Sequence, residues 1–220
     1  MAVLPSVLAL VVAGLIMAQQ RSPAILQIFR EPLRPGSEAA YKTIEDDTAR
    51  VCAELNCPHP HLAIEPLTGP QEVWWLNVFE SEADRQRVEN AYAQNRALMA
   101  ALERNSKRKA ALTGTPINVY ARYRPDFSRG APWTLTGARF LVVAVTPRDV
   151  TVDGSVFEAA GGTRYILKPV ATRERAEAET RRWGREARVF AVRPHWGLAA
   201  KEWIDADPGF WKSNPVARRK

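Results

Sequence analysis

Apolar residues occupy both parities of the stretch 71–81, QEVWWLNVFES: Val73, Trp75 and Phe79 on one, Trp74, Leu76 and Val78 on the other. A strand with one wet face alternates apolar and polar side chains, so a strand apolar on both faces is expected to be covered on both. A layer of helices covers only one. The second face must therefore meet another domain, another subunit or a ligand. The turn signal Thr68-Gly69-Pro70 precedes this strand, and a long helical pattern starts at Glu82 directly after it.

The rest of the chain falls into order around that strand. Residues 24–33 read as a first strand between Pro23 and Pro35. Ser37 stands where an N-cap belongs, and Tyr41, Ile44, Thr48, Val51 and Leu55 recur at helical spacing until Pro58. HLAIE (61–65) is a short strand joined to the tryptophan strand by a turn at 67–70. Ser81 caps the next helix, with Glu82 and Asp84 in its first turn, where the helix dipole favours acids. Its buried stripe is Val88, Ala91, Tyr92, Asn95, Leu98, Met99 and Leu102. The pattern weakens near Asn105 and Ser106 and stops at Gly114. PINVYARY (116–123) closes the unit. Residues 24–124 thus read β-α-β-β-α-β, the ferredoxin-like order of an α+β fold, with two helices on one face of a four-stranded antiparallel sheet.

Residues 125–137, PDFSRGAPWTLTG, read as a linker, with Trp133 tucked against a neighbour. RFLVVAVT (139–146) is a buried strand. Strands at 155–159 and 163–168 flank Gly161-Gly162 as a hairpin. Thr172 caps the charged helix 173–183, which ends at Gly184, and 188–193 is another strand. The tail 195–211, HWGLAAKEWIDADPGFW, holds a short helix and four aromatics expected to clamp onto the body. The second unit, 138–211, therefore reads β-β-β-α-β, like the first with its first helix missing. Residues 212–220 form a basic tail.

Composition changes this picture little. The chain has 220 residues, 46% of them hydrophobic, and a net charge of +7. Basic residues are spread along it rather than clustered with aromatics on one element, so no nucleic-acid partner is expected. Residues 1–20 carry no charged side chain and end in small and amide residues, with a cut plausible after Ala18. They read as an export signal and place the protein in the periplasm or outside the cell, the alternative being an uncleaved membrane anchor. Cys52 and Cys57, five apart, could pair outside the cytosol only if the helix ends near 54–56, since within a regular helix they would be too distant. Otherwise one thiol is buried and the other lies near the surface.

Candidate chemistry is sparse. No nucleophile elbow, phosphate-binding glycine loop or zinc spacing occurs, and no catalytic residue is assigned. Asn77 is the lone polar side chain within the tryptophan strand, and a buried amide must find partners. Tyr92, Asn95 and Arg96 on the following helix could line the same cavity, with Trp74 and Trp75 as flat apolar walls. His61, beside His59, is the remaining candidate ligand contact. This pair would need a third ligand, such as Glu65 or Asp46, to hold a metal; the alternative is a polar loop, and no metal is expected. Tyr41, Tyr120 and Tyr123 belong either to a pocket or to a sheet margin. The basic knot 105–109 solvates a helix end or holds an anion. Trp196, Trp203, Phe210 and Trp211 either pack on the body or form a partner-binding face.

The strand VWWLNVFES, followed at once by the acidic helix start EADRQRV and later by PINVYARY, resembles the dimeric α+β barrel superfamily, which includes antibiotic-biosynthesis monooxygenase and NIPSNAP-like domains. The resemblance spans 24–124. It implies two sheets facing one another across a barrel, formed within one chain or by a homodimer, and a ligand between sheet and helices. It also implies oxidation of electron-rich aromatics without metal, flavin or other cofactor. Relatives that cleave haem use a histidine on the second helix. Residues 82–112 have none, which argues against that chemistry. In VFAVRPHW and AKEWIDADPGFW the second half resembles a group of uncharacterised exported bacterial proteins, which implies no activity. The expectation is an exported protein binding a small apolar or aromatic molecule, monooxygenase-like if it is an enzyme. The competing expectation is a non-catalytic envelope protein that binds a partner through its aromatic tail.

Overall fold

Eight strands close into one antiparallel barrel, and each half of the chain supplies four of them. The computed structural model describes residues 23–129 and 135–219; the segment read as an export signal, and Trp133, lie outside the described residues. The first half runs β1 (Ile25–Pro32), α1 (Glu38–Glu54), β2 (Leu62–Pro66), β3 (Glu72–Phe79), α2 (Glu82–Gln94), α3 (Arg96–Lys109) and β4 (Ile117–Tyr123). The second runs β5 (Ser128–Arg129), β6 (Phe140–Thr146), β7 (Val152–Asp153), β8 (Ser155–Ala159), β9 (Arg164–Val170), α4 (Arg173–Trp183) and β10 (Ala187–Val192), followed by α5 (Lys201–Ala206) and α6 (Pro208–Trp211). The barrel order is β1-β3-β2-β10-β6-β9-β8-β4. Within each half the first strand lies between the last and the third. The halves join where Val192, Ala191 and Phe190 meet Ile64, Glu65 and Pro66, and where Ala121, Arg122 and Tyr123 meet Ala159, Glu158 and Phe157.

The two apolar faces of β3 now have separate partners. Trp74 and Leu76 point into the barrel, where they join Leu26, Ile28, Phe157 and Phe190 in one core. Val73 and Trp75 point outward onto Tyr41 of α1 and onto Trp196. The cover demanded by the sequence is thus the second half of the same chain on one side and helices on the other. α5 and α6 close one barrel end, with Trp203, Ile204 and Trp211 buried in the interior cluster. Trp203 and Trp211 thus plug the barrel, Trp196 is buried on its outer side and Phe210 is half-buried beside the plug.

Local signals were mostly realised. Ser81 Oγ accepts from Asp84 N at 3.1 Å, and Thr172 Oγ1 accepts from Arg175 N at 3.3 Å. Gly161 and Gly162 both adopt φ near +82°, the left-handed region where a side chain is strained. Four readings need correction. Ser37 makes no cap: its hydroxyl donates to the carbonyls of Arg34 and Leu112 at 2.6 and 2.9 Å, tying α1's start to the end of α3. The helix expected from 82 onward breaks at Asn95, whose Oδ1 caps α3 through Leu98 N at 3.1 Å while its Nδ2 donates to Leu55 O. Met99, assigned to the buried stripe, is exposed; Asn105 occupies the buried position and donates to Thr48. The linker 125–137 carries β5, paired in parallel with β7.

Cys52 and Cys57 form a disulfide across the end of α1, with Cα atoms 4.7 Å apart. The helix stops at Glu54 and Asn56 takes φ of 56°, so the chain doubles back as pairing requires. The closed loop is short. Replacing both cysteines by serine is expected to cost about 2 kcal/mol in chemical denaturation, the chain-entropy value for so small a ring.

Candidate functional site

Two strands and two helices bring five polar side chains together beneath α1 and α3. On β1, Glu31 shares the outward parity of Phe29; on β3, Trp75 does the same beside Val73. Tyr41 and Glu45 lie one turn apart on α1, and so on one face of it. Lys109 ends α3. The carboxylate oxygen Glu31 Oε2 accepts from Tyr41 Oη at 2.6 Å, Trp75 Nε1 at 2.8 Å and Lys109 Nζ at 2.9 Å. Lys109 Nζ also lies 2.6 Å from Glu45 Oε1. The ammonium sits 5.4 Å from the Tyr41 ring centroid and 6.0 Å from that of Trp75.

This is a buried ionic network with two acids for one base. Glu45 is 1% exposed, and neither of its oxygens meets a hydrogen-bond geometry despite the close ammonium. Burial pushes its carboxyl up to about 7, with Lys109 opposing and Glu31 adding to the rise. Burial alone would lower Lys109; the charges of Glu45 and Glu31 more than reverse that and raise it. The Tyr41 hydroxyl is held far above its usual range by burial, then by the charges of Glu45 and Glu31, so it remains a donor. A carboxyl near 7 can exchange a proton at neutral pH, the property expected of a general acid or base.

The residues expected to form a ligand site are divided. Trp75 and His61 come together, ring centroids 5.9 Å apart. Burial pushes His61 down to about 4, leaving it neutral at physiological pH. Asn77 lies two residues beyond Trp75 on the same face, half-buried, and opposite Gln27 in the ladder. Its amide makes no hydrogen bond among the described residues, while Gln27 donates to Asn118 at 3.0 Å. Tyr92 packs beneath this row against Phe79, Val88 and Leu98, and burial pushes its hydroxyl up to about 12. Asn95 is taken up in capping, and Arg96 is exposed in a surface depression with Met99 and Leu102. Neither reaches Asn77's neighbourhood through a hydrogen bond. Tyr120 is exposed and Tyr123 half-buried.

His59 stacks on Phe79 at 4.8 Å and bonds the carbonyl of Val78 through Nε2. Among the described residues no group of three His, Cys, Asp or Glu side chains is placed to hold a metal ion. No helix among them is long and apolar enough to cross a membrane.

Sequence reading missed Glu31, Glu45 and Lys109, and a second network on the inner face of the same strand ends. There Glu72, 4% exposed, receives Arg30 through Nε and Nη2 at 3.1 and 2.8 Å and Arg188 through Nη1 at 2.6 Å. Burial pushes the Glu72 carboxyl up, and the hydrogen bonds from Arg30 and Arg188 more than offset this, leaving it below its usual range. The Arg30 guanidinium also lies 4.6 Å over Trp74. One signal was present: Arg30, Glu72 and Arg188 share the inward parity of their strands with Ile28, Trp74 and Phe190.

No protein-family model matches the chain. No curated protein matches it either. Two crystal structures, each described as a putative monooxygenase, align with it. One is from Fusobacterium nucleatum subsp. nucleatum, with 7% identity and a TM-score of 0.45, covering 80% of this chain and 93% of the other. The second is from Lactobacillus acidophilus, with 10% identity and a TM-score of 0.42, covering 86% of this chain and 89% of the other. At that distance the similarity is one of general architecture and says nothing about activity.

Proposed function

We propose that the protein is an exported binder of a small, largely apolar aromatic molecule. The ligand is held on the helix side of β3 by Trp75, Asn77 and His61, in the first of two ferredoxin-like halves. The observation that carries this reading is Asn77: a half-buried amide with no hydrogen bond among the described residues, set in a row with a tryptophan and a neutral imidazole. An amide so placed is free to bond a ligand oxygen. Export rests on the charge-free apolar start of the sequence and on the disulfide, which persists in oxidising compartments.

The enzymatic form of the proposal is oxygenation without a cofactor. An activated ring methylene would lose a proton to a base, for which Glu45 has the right acidity. The resulting carbanion would pass electrons to dioxygen, leaving a ring carbonyl and one water, so that dioxygen is both oxidant and source of the incorporated atom. Glu45, as it stands, is sealed behind Tyr41 and Lys109, so this step needs α1 or α3 to move.

Asn77→Ala removes no bond the fold uses, and Trp75→Phe trades the indole wall for a smaller ring while deleting the donor to Glu31. Asn77→Ala is expected to lower the affinity for 2-naphthol at least tenfold in calorimetry, in the range of about 1–3 kcal/mol for an unmet polar contact, and Trp75→Phe to weaken it through lost apolar contact. Unchanged binding in both variants would refute the site. Oxygen uptake with an electron-rich hydroxyaromatic separates the binder from the enzyme.

A further inference from the structure

The second half of the barrel lacks a counterpart to α1. β1 leads into a helix of 17 residues, whereas β6 leads into residues 147–154, which carry only the two-residue β7. α4 covers the outward faces of β6, β9 and β10 and buries Val142, Ala144 and Ile166 with Ala176. Beside it, between the sheet and the 147–153 segment, a cavity of about 460 Å³ remains. Its floor is apolar, built from Ala144, Ile166, Val150, Val152 and the indole of Trp183, with Thr146 and Thr151 beside them. Trp183 packs directly over Gly154. A Cβ there would lie 3.2 Å from the indole Cη2 and 3.2 Å from the Leu167 carbonyl oxygen, so an alanine would press the indole away by a few tenths of an ångström.

The rim is cationic. Arg129, Arg148 and Arg182 all line the cavity. Arg129 makes no ion pair among the described residues. Arg148 reaches Glu186 only at 3.4 Å and Arg182 reaches Glu179 only at 3.8 Å, both from largely exposed positions. Asp153, the other acid of the lining, is held by Lys168 Nζ at 2.6 Å. Three guanidiniums therefore face two carboxylates, Glu186 and Asp153, the latter sharing Lys168 with Glu179, over an apolar floor with one flat aromatic wall.

We propose that this cavity is a second ligand site, separate from the one on β3, for a small carboxylate carried on a flat apolar body. The body would lie against Trp183 and Ile166. The acid would be taken by the guanidiniums, whose planar fork matches a carboxylate with two parallel hydrogen bonds. A neutral compound of the same shape would leave the cationic rim unmatched.

The test uses the full chain and 2-naphthoate, titrated by calorimetry at low salt. One saturable site is expected. The variant Arg129→Gln with Arg148→Gln and Arg182→Gln changes exposed side chains only, so circular dichroism should match the parent while naphthoate affinity falls at least tenfold. Gly154→Ala, which displaces the indole, should also weaken binding. Trp75→Phe should leave it unchanged, which separates this site from that on β3. Absence of saturable binding, unchanged affinity in the triple-glutamine variant, or an equal loss in Trp75→Phe would each overturn the proposal.

Discussion

Lys109→Met is expected to destabilise the protein by about 3–5 kcal/mol at pH 8 and by clearly less at pH 5, because it strips the cation that two buried carboxylates share. Methionine fills nearly the same volume, so the loss is electrostatic rather than a cavity. In the parent, the Glu45 carboxyl rises from its ordinary 4.5 to about 7 on folding. A group whose folded value lies above its unfolded one contributes stability that is fully present below the unfolded value and lost as pH climbs through the folded value. The parent should therefore lose on the order of 3 kcal/mol between pH 4.5 and pH 7.5 from this group, the equivalent of that rise at 1.36 kcal/mol per pH unit. Without Lys109, which opposes the rise, Glu45 goes higher still, and the penalty deepens at pH 8 while protonation relieves it at pH 5. Urea denaturation at the two pH values measures both. Glu45→Gln is the control: it removes the titrating group and should flatten the slope across that window. A Lys109→Met penalty equal at pH 5 and pH 8 would mean that the network is not ionised as its geometry requires.

That network also shows where sequence reading reached its limit. The doubly apolar pattern of β3 was legible because strand parity is local, and it correctly required a folded cover. The strand order and the caps at Ser81 and Thr172 were legible for the same reason, as was the need for α1 to end before Cys57. Lys109 was not. It sits in the run NSKRK, which reads as a solvated helix end, and Lys107 and Arg108 do pair at the surface with Glu103 and Asp47. Only Lys109 turns inward, drawn by Glu31, far away in the sequence on β1. Nothing in the local pattern distinguishes it from its neighbours. Glu45 carried a faint mark: it follows Tyr41 by four positions and so shares its buried face. The break at Asn95 was hidden by an unbroken apolar stripe, since an asparagine within such a stripe reads equally as a buried polar residue or as a cap. Of the candidate residues, Trp75 and His61 lie together because β2 and β3 pair, with Ala63 opposite Trp75. Asn95 and Arg96 belong to a helix whose register shifts at the break.

Trp211→Ala is expected to cost about 3–5 kcal/mol, the usual range for emptying a fully buried tryptophan site, and to lower the thermal midpoint by roughly 10 °C. The sequence left the tail aromatics either packed on the body or presented as a partner-binding face. The structure packs them on the body. Trp211 is 2% exposed, its ring 5.7 Å from Trp203 and 5.1 Å from Phe210, and both tryptophans belong to the same cluster as Leu26, Leu76 and Leu141 inside the barrel. Polar ties hold the plug in place. Arg139, at the start of β6, bonds Asp207 at 2.5 Å and lies 3.9 Å over the Phe210 ring. Asn214, fully buried, donates to the carbonyl of Pro194 at 2.9 Å, and Trp196 donates to Asp46 of α1 at 3.0 Å. The tail thus touches both halves of the barrel. Removing residues 196–220 exposes the interior from one end and deletes three buried tryptophans, a loss comparable to the whole of a domain's roughly 5–15 kcal/mol. The truncated chain should show no cooperative unfolding transition and should bind a hydrophobic dye. A sharp transition with a preserved near-ultraviolet tryptophan signal would show that the barrel closes without its plug.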